Sequence, residues 1–183
     1  VVNYLSGSLL TSIATTGWTE KMFLLNGNVF VQQRTVSTDN SMENRLLKIN
    51  SATNTITDSK PFLKRDINGM ACDASGNIWL AMDEDTANNF KSALLCFDQS
   101  LNLLKTLVHS NYDHHLSQLC IDKNRNQIVF ADNDLFSLHV SDATLPVQPL
   151  ITRDGRNFYT VAVNELQGDI YISDALDFVQ RSR

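Results

Sequence analysis

Two adjacent histidines are the side chains of this sequence that most directly suggest chemistry. Asp113, His114 and His115 follow one another, and an imidazole can bind a metal or act as a general base near neutral pH. Metal sites, however, need three or four converging ligands, and adjacent side chains of an extended segment point apart. His139 falls in a predicted third strand, away from the pair. We therefore predict no metal and no catalytic residue here.

Carboxylates gather after the predicted second strands, where two of them could share a proton or bind calcium. Asp132 and Asp174 each lie four residues after an isoleucine, Ile128 and Ile170. A side chain that recurs at one position favours turn capping, because a catalytic residue is expected once. The sequence has no phosphate-binding glycine loop, nucleophile elbow or His-Glu-x-x-His segment, so we predict no cofactor. The carboxylates are Asp83, Glu84, Asp85, Asp132, Asp134, Asp174 and Asp177.

The elements that carry these side chains follow from a pattern that is clearest in residues 73–81 (DASGNIWLA). A tight turn leads there into a strand that is apolar at nearly every position. Similar segments begin their apolar run at Val29, Ile128 and Ile170, so that with Ile78 the intervals are 49, 50 and 42 residues. A period of about 40–50 residues built from short strands is typical of a propeller.

Each period holds two hairpins, which predicts an all-β fold, a β-propeller of four-stranded antiparallel blades. We expect a single domain over residues 1–183. Residues 1–14 are the back half of a blade, and residues 161–183 are the front half of one. The complete blades are predicted at 20–59, 69–108 and 117–151.

The chain holds about four blades' worth of strands, and two arrangements are open. The end halves could pair and close a four-bladed ring, or the chain could be a fragment of a larger propeller. We favour the fragment, because the segment after Ser173 reads as a turn that enters a third strand.

Composition excludes several classes of protein. The 183 residues carry a net charge of -5, and no Lys/Arg cluster exceeds a dipeptide, which argues against nucleic-acid binding. No apolar run approaches the roughly 18 residues that span a bilayer, so no transmembrane segment is predicted. Cys72, Cys96 and Cys120 lie in predicted strands among apolar neighbours, as expected of buried free thiols.

Loops on one face of a propeller join strands two and three, or join one blade to the next. The first kind is predicted at 34–44, 83–91, 132–133 and 174–182. The second kind is predicted at 15–19, 61–68, 109–116 and 153–158. Their aromatic, guanidinium and amide groups suit a polar ligand such as a carbohydrate or peptide, although loops are also polar because they meet water. The candidate ligand-binding residues are Trp18, Arg65, Tyr112, His114, His115, Arg153, Arg156, Asn157 and Phe158.

Two segments carry a family resemblance, residues 73–80 (DASGNIWL) and residues 168–179 (GDIYISDALDFV). The second resembles the blade motif of bacterial surface-layer, YncE-like propellers, a group common among exported Bacteroidetes surface lipoproteins. The first is similar to NHL repeats and to the sensor propellers of two-component regulators. The resemblance implies a propeller in an extracytoplasmic, periplasmic or cell-surface location. None of the three cysteines lies near the N-terminus, where that group carries its lipoprotein cysteine, and a start that lies outside this sequence stays open as the reason.

We expect a non-enzymatic binding or scaffold module that presents its loop face to a glycan, peptide or protein partner. One alternative is a propeller hydrolase, lactonase or lyase with a metal or a His-Asp pair in the central channel. Another is the sensor domain of a signalling receptor.

Overall fold

A computed structural model describes residues 12–36, 42–63, 65–83, 91–108, 116, 118–132, 134–146, 149–151, 158–174 and 180–182. The chain separates into two compact units, Val1–Leu63 and Lys64–Arg183. Within the described ranges there are strands and no helix, and every strand pairing is antiparallel, which confirms the predicted all-β class. Those ranges likewise contain no helix long and apolar enough to cross a membrane.

The first unit contains one four-stranded meander in the order β1-β2-β3-β4. Asn26 and Gly27 join the first two strands with φ values of 48° and 74°, as a two-residue hairpin turn requires. Both faces of the inner strands are buried: Phe30 and Leu46 are fully enclosed on one face, and Val31 and Leu47 pack on the other. The strands are β1 (Trp18–Leu25), β2 (Asn28–Val36), β3 (Met42–Asn50) and β4 (Thr55–Leu63).

The second unit contains three sheets. Two are ordered β5-β6-β7-β8 and β9-β10-β11, and the third is β12-β13-β14. Every residue of β6 and β7 is buried, which explains their continuous apolar sequences. The strands are β5 (Ile67–Cys72), β6 (Ile78–Met82), β7 (Ala93–Phe97), β8 (Leu103–Val108), β9 (Gln118–Asp122), β10 (Gln127–Asp132), β11 (Asp134–His139), β12 (Phe158–Asn164), β13 (Asp169–Asp174) and β14 (Gln180–Ser182).

Two apolar layers join these three sheets face to face. In the first layer, Trp79 and Leu94 pack against Ile128 and Phe130 of the next sheet. In the second layer, Val129 of β10 packs with Val161 and Ile172 of the third sheet. The middle sheet thus uses alternate residues of one strand to contact a neighbour on each side, as the period of two in a strand allows.

Several strands extend into segments that the sequence predicts as loops. β2 continues to Val36 and β3 begins at Met42, which shortens the predicted loop 34–44. β4 runs to Leu63 through Pro61, where a loop from 61 to 68 is predicted. The proline is compatible because β4 is the outer strand of its sheet, and an edge strand can do without one backbone donor.

Candidate functional site

Trp18 is the predicted ligand-binding residue with the most exposed side chain among those that the structure describes. It is the first residue of β1, not a loop residue, and 61% of it is exposed. Its partner across the ladder is Arg34 of β2, so both side chains stand on the same face of the sheet. An exposed indole next to a guanidinium is a combination that recognition sites use often.

A β-bulge directly after Trp18 adds a carboxylate to this face. The register shifts between Thr19 and Lys21, so that Glu20 is the extra residue. Gln32 Nε2 donates to Glu20 Oε2 at 2.7 Å, and Arg34 Nε lies 3.2 Å from Glu20 Oε1. Bulges of this kind redirect a side chain that regular alternation would place elsewhere. Trp18, Glu20, Gln32 and Arg34, here called the Trp18 site, therefore occupy one face.

The backbone that leads into the Trp18 site is held against β2. In the amide orientation that satisfies its neighbours, Gln33 Oε1 accepts from the backbone N–H groups of Thr16 and Gly17, at 3.2 and 3.1 Å. Gln33 is 2% exposed, so these bonds are shielded from water. A Cβ at Gly17 would overlap the carbonyl oxygen of Arg34 and would lie 2.6 Å from Thr35 Cγ2. This close approach fixes where Trp18 begins the strand.

Lys21 adds a cation beside the site. It pairs with Gln32 across the ladder and thus shares the face of the Trp18 site. Burial lowers the pKa of the Lys21 ammonium from its ordinary value, and the neighbouring charge of Glu20 opposes that shift. Two basic side chains, Lys21 and Arg34, therefore lie near Glu20 on this face.

The other predicted site residues have different placements. Arg65 is partly buried, and its Nη2 donates to the backbone oxygen of Lys91 at 3.3 Å. Phe158 is the first residue of β12 and packs against the apolar layer that contains Val161 and Ile172. The remaining predicted residues lie outside the described residues: Tyr112, His114, His115, Arg153, Arg156 and Asn157.

Sequence reasoning did not assign Glu20, Gln32 or Arg34 to a site. A signal for Gln32 was present, because the corresponding residues 81 and 131 are both alanine within the apolar runs of β6 and β10. Gln32, Gln33 and Arg34 interrupt that apolar character. Glu20 has no such signal, since a bulge leaves little trace in a single sequence.

Metal binding has no candidate in the described part of the chain, where no group of three or more His, Cys, Asp or Glu side chains converges. All three cysteines are free thiols. A scan against known protein-family models finds no match to the sequence, and a search of characterised proteins finds no significant similarity.

Proposed function

We propose that the chain is part of a β-propeller that acts outside the cytoplasm as a non-enzymatic binding or scaffold module, with a glycan, peptide or protein partner at the Trp18 site. Two observations support the propeller. The four apolar runs used to define the period each lie in the second strand of a separate antiparallel sheet. Three of these sheets pack face to face in chain order. The extracytoplasmic location rests on the family resemblance alone.

The observation that carries the binding role is the exposed indole of Trp18 beside the Glu20–Arg34 ion pair. Leaving so large an apolar side chain in water costs hydrophobic free energy, which a ligand recovers when it covers the ring. The carboxylate and guanidinium next to it can orient the hydroxyl or amide groups of a ligand, and the fully buried amide of Gln32 holds that carboxylate in place. Gly17 and Gln33 hold the strand start in place before any ligand arrives, which reduces the ordering cost of binding.

Alanine substitution of Trp18, assayed on a glycan and peptide array, tests this role. We expect Trp18→Ala to weaken binding about tenfold or more, since loss of one aromatic contact is worth roughly 1.4 kcal/mol or more. Trp18→Phe should keep most of the affinity, because it retains an aromatic face.

Met22→Ala is the matched control. Met22 is 63% exposed on the same strand, but it pairs with Val31 and so stands on the opposite face. The variant removes an exposed apolar side chain without touching the site, and its binding should equal that of the unchanged protein. Unchanged binding by Trp18→Ala would remove this face as the site.

A further inference from the structure

The sequence contains two Asn-Gly pairs, Asn26-Gly27 and Asn68-Gly69. An asparagine side chain that precedes a glycine can react with the backbone, because no side chain shields the glycine nitrogen. In a folded protein the reaction also requires that the local chain can open and that water can reach it. The two pairs differ in both respects.

Asn26 and Gly27 form the two-residue turn between β1 and β2. Both residues are exposed, and nothing lies within 4 Å of a Cβ built on Gly27. The turn is restrained at one point, since the N–H and the Oγ of Ser51 both donate to the carbonyl oxygen of Gly27, at 3.0 and 2.7 Å. The Oγ bond is exposed to water. An exposed turn of this kind opens at little cost in free energy.

Asn68 and Gly69 lie inside the packed structure. Gly69 is a buried residue of β5 and pairs with Ala81 of the fully buried strand β6. A Cβ on Gly69 would lie 2.7 Å from the backbone nitrogen of Leu119, so the next sheet leaves no room beside the glycine. The Asn68 amide is held as well, because its Nδ2 donates to the backbone oxygen of Leu116 at 2.9 Å. This amide cannot reach the following backbone nitrogen unless β5 opens.

We propose that Asn26 is a site of spontaneous deamidation through a cyclic imide, with water as the co-reactant, and that Asn68 is protected from it. The backbone nitrogen of Gly27 loses its proton and attacks Cγ of Asn26, the Cγ–Nδ2 bond breaks, and ammonia carries the proton away. Water then hydrolyses the imide at one of its two carbonyl carbons. One product has aspartate at this position, and the other has isoaspartate, in which the backbone runs through Cβ. No oxidation or reduction takes place.

The isoaspartate product alters the hairpin β1–β2 in charge and in geometry. It adds a carboxylate to the turn and lengthens the backbone of the turn by one carbon atom. A two-residue turn of altered length no longer fits the ladder pair Leu25–Asn28 that closes it. The reaction thus acts on the same hairpin that carries the Trp18 site.

Peptide mapping by mass spectrometry, after incubation in mildly alkaline heavy-oxygen water, tests the assignment. We expect Asn26 to lose its amide and to take up the heavy oxygen, with isoaspartate among the products. The rate should rise with pH, because the attacking nitrogen must lose a proton. Asn68 should react at least about tenfold more slowly, since β5 must first open. Ser51→Ala should speed the reaction at Asn26 about threefold, the effect of losing one exposed hydrogen bond.

The same chain unfolded in urea is the control for local sequence, and both asparagines should react there at similar rates. Asn26→Gly is the control for the site, because glycine tolerates the φ of 48° at this position and carries no amide. The turn peptide of this variant should keep its mass. Reaction of Asn68 as fast as that of Asn26 in the folded protein would overturn the proposal. A folded protein that keeps Asn26 intact long after the unfolded chain has converted both asparagines would overturn it too.

Discussion

Asp73 illustrates how a single buried carboxylate organises a turn and a core side chain together. The residue is 4% exposed, and its Oδ1 accepts from the backbone N–H groups of Ser75 and Asn77, each at 2.9 Å. Its Oδ2 accepts from Asn77 Nδ2 and from the indole Nε1 of Trp79, each at 3.0 Å. Trp79, 1% exposed, can thus be buried between sheets without an unpaired N–H group.

The same Asp-x-Ser-x-Asn turn occurs a second time at the surface. Asp98 Oδ1 accepts from the N–H groups of Ser100 and Asn102, at 2.8 and 2.9 Å, and its Oδ2 accepts from Asn102 Nδ2 at 2.8 Å. These bonds are exposed, and no indole takes part in them. The chain therefore provides its own comparison between a buried and an exposed carboxylate in one type of turn.

We expect Asp73→Asn to lower the free energy of unfolding by about 2–3 kcal/mol, because an amide NH₂ in place of Oδ2 leaves the Trp79 N–H facing a donor inside the core. Asp98→Asn should cost about 1 kcal/mol or less, since water can replace its bonds. Urea unfolding of both variants measures the difference. Equal losses would mean that the Trp79 bond contributes nothing to stability.

At the scale of elements, a β-bulge near the start of the first strand recurs in three sheets. The register shifts between Thr19 and Lys21 in β1, between Ile67 and Gly69 in β5, and between Phe158 and Thr160 in β12. Because the bulge recurs in three sheets, it belongs to the strand framework that the sheets share, here called the scaffold. The Trp18 site arises from the residues that this scaffold carries in the first sheet.

The second sheet shows what the same scaffold does with other residues. Its bulge residue is Asn68, whose Nδ2 donates to the backbone oxygen of Leu116 at 2.9 Å and so fixes a connection between sheets. The residue in the place of Trp18 is Asp66, whose backbone oxygen accepts from the N–H group of Asp83 at 3.0 Å. Of these two sheets, the first thus places an exposed aromatic side chain and an ion pair at these positions, and the second places Asp66 and Asn68 there.

Gly17→Ala tests whether the start of β1 positions the Trp18 site. The added methyl group overlaps the backbone of Arg34, so the strand start must move, and we expect a loss of about 1–3 kcal/mol in unfolding free energy. Binding at the site should weaken in parallel, because Trp18 moves with its backbone.

Gly27→Ala is the control for this change. Nothing lies within 4 Å of a Cβ at Gly27, but its φ of +74° disfavours any side chain. It should cost about 1 kcal/mol through backbone strain and leave binding unaffected. Full affinity in Gly17→Ala would show that the site tolerates displacement of the strand.

The second strands were predictable because their physics leaves a local pattern. Burial on both faces makes β6 apolar throughout and β10 apolar from Ile128 to Ala131, and a turn residue such as Gly76, with φ of +82°, precedes such a strand. The extent of β4 was not predictable in the same way, because Pro61 signals a loop unless the edge position of the strand is known. The face of Glu20 depends on a bulge, and its partners are twelve and fourteen residues away. Predicting such a site requires knowledge of the register between strands, which the composition and the repeat period of the sequence do not give.

At the scale of the molecule, the second unit is held by two apolar layers, and each contains one cysteine. Cys96 lies in the layer between the sheet β5–β8 and the sheet β9–β11. Cys120 packs against the layer between the sheet β9–β11 and the sheet β12–β14. Burial raises the pKa of both thiols to about 12, with a further contribution from Asp73 for Cys96 and from Asp122 for Cys120. The ionisation of each thiol can therefore serve as a probe of the apolar layer in which that thiol lies.

The raised pKa values predict that alkali destabilises this unit. Between the ordinary thiol value of 9.0 and about 12, the folded state keeps protons that the unfolded state has lost. The free energy of unfolding consequently falls as the pH rises through this window, by up to about 1.4 kcal/mol per pH unit for each thiol, and the effect is absent below it. Denaturant unfolding at several pH values measures the slope, followed by the fluorescence of Trp79 in a Trp18→Phe background.

A variant with both Cys96→Ala and Cys120→Ala isolates the thiols from the lysines and tyrosines that titrate in the same range. Its unfolding free energy should fall less steeply above pH 9 than that of the parent, because each removed thiol takes its own proton linkage with it. The single variants should each remove part of the difference, since the two residues belong to separate layers. Parallel slopes in the parent and the double variant would mean that both thiols ionise in the folded protein as easily as in the unfolded chain, and that neither layer excludes water from its cysteine.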